Sequence, residues 1–139
     1  MIHSRTILIA DRRGTSIVEF ALLLPVLAAI LYGMLAYGQY FLLAHSVQEL
    51  ANDAARATVG GLNSSERRTL AMTSVTTELP QLNAMPASRV TTDVGEANGL
   101  VTVKVRLDAS NIGLFQTPLV PMPGTVIERR AVIRAATAS

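Results

Sequence analysis

Two arginines and a glycine, Arg12-Arg13-Gly14, are followed after four residues by Glu19-Phe20, which sets a pair of cations close to a single acid. Glu19 stands at the head of an apolar run, because no Asp, Glu, Lys or Arg occurs from Phe20 to Gln48. At about 1.5 Å of rise per residue, a helix from Phe20 to Tyr40 measures roughly 30 Å, the thickness of a bilayer's hydrocarbon core. A carboxylate at the mouth of such a helix loses part of its hydration. Ionisable groups cost on the order of 2.5 to 3.5 kcal/mol near the bilayer centre and less toward the interface. Glu19 therefore calls for a cation.

Other chemistry is poorly provided for. His3 lies upstream of the arginine pair and His45 beyond the apolar run, so the two do not form a shared site. Gly60-Gly61 follows a helical pattern and lacks the Lys-Ser/Thr ending of a phosphate loop. With no cysteine there are no disulfides and no thiolate metal sites. The acids after the apolar run show no paired spacing for general acid/base work. Arg67-Arg68 and Arg129-Arg130 read as solvated faces of a helix and a strand. The expectation is a protein that is not an enzyme and carries no cofactor and no metal.

The pattern Arg12-Arg13-Gly14, four residues, Glu19-Phe20 resembles the site that prepilin-type peptidases recognise. The chain as a whole resembles the TadE-like pseudopilins, or minor pilins, of the tight-adherence (Tad, Flp, type IVb) pilus system. The likeness continues through Pro25 in LLLPVL, the Tyr- and Gly-containing stretch YGMLAYGQYF and the Ala-rich ANDAARAT. It covers residues 12 to about 61 well and is looser beyond, although LFQTPLVPMPGTVIERRAVIRA is also similar to the family's ending. The resemblance implies cleavage between Gly14 and Thr15, which makes Glu19 the fifth residue of the mature chain. It further implies that Glu19 meets the free α-amino group of a neighbouring subunit. Implied partners are the prepilin peptidase, other pseudopilins, the major Flp-type pilin and the inner-membrane assembly platform, besides the lipid bilayer. The implied role is initiation, priming or capping of an adhesive pilus.

The charge distribution sets an orientation. Of the twelve basic and ten acidic residues, Arg5, Arg12, Arg13 and Asp11 precede Thr15, so nine of each remain after it. The surplus of positive charge thus lies in residues 1–14, and the remainder gives no support to nucleic-acid binding. Positive residues beside one end of a span keep that end cytoplasmic. The expected location is the inner (cytoplasmic) membrane, crossed once, with the C-terminal part periplasmic or extracellular. Two other export routes fit less well. A secretory cut after Ala28 would leave apolar residues 29–44 on a soluble product, and Glu19 would interrupt the hydrophobic region of a twin-arginine signal.

The fold class expected is α+β: a long N-terminal transmembrane helix extending out of the membrane, a second helix, and a small antiparallel sheet of about three strands. The chain divides into a leader (1–14), the membrane and assembly helix (15–60) and a small exported α+β domain (61–139). Within the span, Pro25 cannot donate to Ala21, which predicts a bend or local loosening. Ala29 and Gly33 form a small-xxx-small pair open to a second helix. Tyr37, Tyr40 and Phe41 suit an aromatic belt at the outer interface.

Beyond the span, Val47, Leu50, Ala51, Ala54 and Thr58 repeat on one helical face as far as about Val59. Gly60-Gly61 ends that helix, and Asn63 with Glu66 caps a second one that stops before Pro80. Residues 90–94 and 100–108 alternate as strands across a loop at 95–99, and 125–134 supply a third. The Pro-rich, apolar connection from 110 to 124 is expected to cover the sheet, with a partner-contact patch as the functional alternative. Only Phe115 among the aromatic residues lies in the exported part, so neighbouring subunits are the expected source of additional burial. The alternative function is a single-pass, envelope-anchored binding module that keeps its signal anchor uncleaved.

Overall fold

The computed structural model describes residues 12–82, 85–118 and 120–135, with side chains from Ser16 onward. The expected leader calls for residues 1–11 therefore lie outside the described residues. One helix dominates: α1, Arg12–Ala57, runs unbroken through Pro25, and its 46 residues span about 70 Å. It ends in a single 3₁₀ turn at Thr58–Gly60, where the buried Thr58 hydroxyl donates to the Ala55 carbonyl at 2.6 Å. That bond occupies a carbonyl which the end of the helix leaves without an intrahelical partner.

The reversal into the second helix requires glycine. A Cβ on Gly61 would lie 2.6 Å from Cγ of Arg67 and 2.8 Å from its backbone nitrogen. α2, Ser64–Glu78, then begins as its sequence dictates: the Asn63 side chain accepts the Glu66 N–H at 2.9 Å. Glu66 reaches back to the Leu62 N–H at 2.8 Å, one residue farther than in the reciprocal arrangement expected. Replacing Asn63 with alanine is expected to cost about 1 kcal/mol. A lowered urea midpoint with an unchanged denaturant slope, measured on the full chain in detergent, checks this.

The sheet has the order β1-β2-β3, with both pairs antiparallel. β1 is Val90–Ala97, β2 is Leu100–Asp108 and β3 is Val126–Arg134. β1 is longer than expected and the turn shorter, since Gly95, Glu96 and Ala97 pair with Thr102, Val101 and Leu100. Asn98 and Gly99 alone make the turn, at φ 52° and 72°, a two-residue solution that matches strand twist and tolerates Asn-Gly. Across β2 and β3, Arg106 and Glu128 are register partners joined by an ion pair, with the Arg106 Nε donating at 2.9 Å. The guanidinium holds the Glu128 carboxyl below its ordinary range.

The core lies between α1 and the sheet, and α2 closes its side. Val101, Val103, Val105 and Leu107 of β2 are each at most 1% exposed, and they cluster with Leu43, Val47, Leu50, Ala51 and Ala54 of α1. The expected alternation and the expected helical stripe thus meet face to face. α2 adds Ala71 and Val75. Phe115 enters from a 3₁₀ turn at Gly113–Phe115, its ring edge-on to Tyr40 with centroids 6.2 Å apart.

Arg67 departs from its expected solvated setting. Its side chain is 10% exposed and forms an ion pair with Glu96 at 2.8 Å, while its Nε donates to the Gly61 carbonyl at 3.1 Å. The extra length of β1 is the physical reason, because it carries Glu96 beside α2. A buried guanidinium needs such partners, since breaking a buried pair leaves an uncompensated charge.

Candidate functional site

Among the described residues nothing covers the head of α1. Every residue from 16 to 28 is exposed, including Ile17, Val18, Phe20, Leu22, Leu23, Leu24, Val26 and Leu27. Such a contiguous apolar surface is uncommon on a soluble monomer and marks contact with lipid or with other helices. The helix from Ser16 to Gly60 is long and apolar enough to cross a membrane, with a mean hydropathy of 2.2 in its most apolar window. Glu19 and Phe20 lie on this free segment, both exposed. Among the described side chains no cation pairs with Glu19. Arg12, Arg13, Gly14 and Thr15 belong to the first turn of α1, where only the backbone is described.

From Ala29 onward one side of the helix is covered. The connection between β2 and β3 does not lie over the sheet alone, as expected, but turns back along α1. Tyr32 donates its hydroxyl to the Leu114 carbonyl at 2.9 Å and also meets the Thr117 hydroxyl. Tyr37 donates to the Pro121 carbonyl at 2.6 Å. The two tyrosines thus fasten the connection to the helix at positions nearly one and a half turns apart. Between them, Gly33 faces Val120: a Cβ on Gly33 would be 3.6 Å from a Val120 methyl. Ala36 is fully buried and Ala29 partly so. The space beside Gly33, which the Ala29–Gly33 pair would open to a second helix, is therefore taken by Val120 of the chain's own connection. The opposite side stays free, with Ile30, Leu31, Met34, Leu35, Phe41 and Leu42 all more than half exposed.

The aromatic residues at the end of the span divide in function. Tyr40 joins the core beside Phe115, Tyr37 ties the connection, and Phe41 remains 65% exposed. The next ionisable residues are His45 and Glu49, which pair at 3.3 Å on exposed positions. Farther along, α1 and α2 flank an open, mainly polar groove of about 480 Å³ lined by Glu49, Asn52, Asp53, Arg56, Glu78 and Gln81. Arg56 lies 3.6 Å from Asp53 there.

Against known families, residues 14–56 match the model described as TadE-like protein. Over that segment the chain is similar to the TadE-like family. The match begins at Gly14 and stops one residue before the end of α1, so the TadE-like part and the long helix nearly coincide. α2 and the three strands lie beyond it. No curated protein and no solved structure matches the chain. Sequence reasoning found the long helix. It missed the coverage of Tyr32 and Tyr37, whose hydroxyl partners are more than 80 residues away in the chain and leave no local signal.

Proposed function

We propose that this TadE-like protein is a pseudopilin or minor pilin that takes part in initiating, priming or capping a Tad (type IVb) pilus used in adhesion. Prepilin peptidase trims it between Gly14 and Thr15, and α1 then packs among the helices of other pseudopilins and of the major Flp-type pilin at the inner-membrane assembly platform. Before assembly the protein crosses the inner membrane once, with Arg12 and Arg13 on the cytoplasmic side. The observation that carries this reading is the TadE-like match over a helix whose apolar head is exposed from 16 to 28, with Glu19 on it and no described side chain paired to that carboxylate. A helix that leaves lipid needs a second apolar surrounding, and a bundle of like helices supplies one. A carboxylate buried in that bundle needs a cation, and the amine exposed by cleavage at Thr15 provides it.

Mass spectrometry of the protein purified from its own membranes tests the reading. The mature chain is expected to begin at Thr15. An intact leader in the functional protein removes the amine and with it the assembly role. That result would favour the second reading, an anchored binding module, which draws on the fact that α2 and the sheet lie outside the matched segment.

A further inference from the structure

We propose that the connection between β2 and β3, at residues 113–118 and 120–123, sits in the outer face of the lipid bilayer as a second membrane contact beside α1. The inference rests on the reading of α1 as a membrane anchor. Its first support is depth along the helix. The connection is fastened at Tyr32, Gly33 and Tyr37, whereas the free side of α1 stays apolar and exposed as far as Phe41 and Leu42. Leu42 lies roughly 8 to 15 Å farther from the helix head than those attachment points. A bilayer that covers Met34, Leu35, Phe41 and Leu42 must also surround whatever flanks the helix at Tyr32 to Tyr37. Leaving the connection in water would leave those four large side chains in water too.

Its second support is chemical fitness for lipid. No Asp, Glu, Lys, Arg or His occurs from Ala109 to Ile127. Irregular backbone does not occur lipid-exposed within the hydrocarbon core, so the connection belongs at the interfacial level, where the polar groups that the protein itself does not bond reach headgroups and water. Pro118, Pro121 and Pro123 have no N–H to satisfy. The N–H groups of Phe115 and Gln116 donate to Ile112 and Gly113 at 2.8 and 3.2 Å. The Leu114 and Pro121 carbonyls accept from the two tyrosines, and the Gln116 side-chain amide donates to the Ser110 carbonyl at 2.7 Å. The apolar surface left outward includes the exposed Pro118, Pro121 and Pro123. Tyrosines with an apolar body and a bonded hydroxyl suit the depth where acyl chains meet headgroups.

The absence of native cysteine allows single labels on the full chain. Pro118→Cys, Leu23→Cys and Asp93→Cys, each carrying an environment-sensitive NBD group, are reconstituted into phosphatidylethanolamine/phosphatidylglycerol vesicles with or without lipids spin-labelled near the headgroup or along the chain. Asp93 lies on the exposed face of β1 and reports water. The Pro118 label is expected to emit to the blue of the Asp93 label and to be quenched several-fold more strongly, most of all by the spin label nearer the headgroup. Quenching at Leu23 with a water-like Pro118 overturns the proposal and leaves the anchor intact. A blue-shifted Pro118 that lipid spin labels do not quench also overturns it, since a protein partner then covers the connection. Unquenched labels at both Leu23 and Pro118 overturn the anchor and this inference together.

Discussion

Glu19→Ala is expected to leave the protein inserted in the membrane and to abolish its support of pilus assembly. Insertion depends on the apolar run, which the substitution lengthens. On the proposed pairing, assembly depends on the carboxylate, because removing one partner of a buried ion pair strands the other and costs about 3 to 5 kcal/mol, a factor of roughly 10² to 10⁴ in the packing equilibrium. Carbonate extraction reports insertion, and electron microscopy or sheared-pilus yield reports assembly. Glu19→Asp, which keeps the charge on a shorter stem, should retain part of the yield. Normal piliation by the alanine variant would show that the amine of a neighbour is not what Glu19 meets.

The second large effect is expected at Leu50, which is 1% exposed where α1, α2 and the sheet converge. Leu50→Ala should cost about 2 to 5 kcal/mol by loss of buried surface and creation of a cavity. Against a total stability of about 5 to 15 kcal/mol for a typical domain, that is a large fraction. Amide hydrogen exchange in β2, at Val101, Val103 and Val105, should accelerate by at least about 30-fold if those amides open with the core. Leu31→Ala, at a position 53% exposed on the free side of α1, is the matching control and should leave β2 unchanged. Unaltered exchange in Leu50→Ala would mean that the sheet holds together without the helix.

Those two positions also separate what could be read from the chain and what could not. The stripe Val47, Leu50, Ala51, Ala54 and the alternation Val101, Val103, Val105, Leu107 each carry one period over several residues, so both buried faces were legible. Asn63 announced its cap in the same way. Long-range polar pairing carries no period. Nothing near Arg67 points to Glu96, and nothing near Tyr32 points to Leu114, so a buried guanidinium was read as solvated and a helix-hugging connection as a sheet cover. The hairpin was misjudged at 95–99 because Gly95 and Gly99 both suit a turn, and the positive φ of Asn98 and Gly99 decides between them. Phe115, the one aromatic residue of 61–139, packs edge-on against Tyr40 of α1, a contact between distant parts of the chain that composition does not reveal. A fragment cut at Ser64 would discard Leu43, Val47 and Leu50 and with them half of the buried face.

Because α1 passes without a break from its bare head into the core, it is one rod shared by two environments. Tension applied at Glu19 during extraction from lipid would travel down that rod, past Pro25, and load the contact between Leu43–Ala54 and β2 in shear. The folded part would then rise and turn in step with its own stem, so that whatever it presents to the outside is aimed by the stem's rotation.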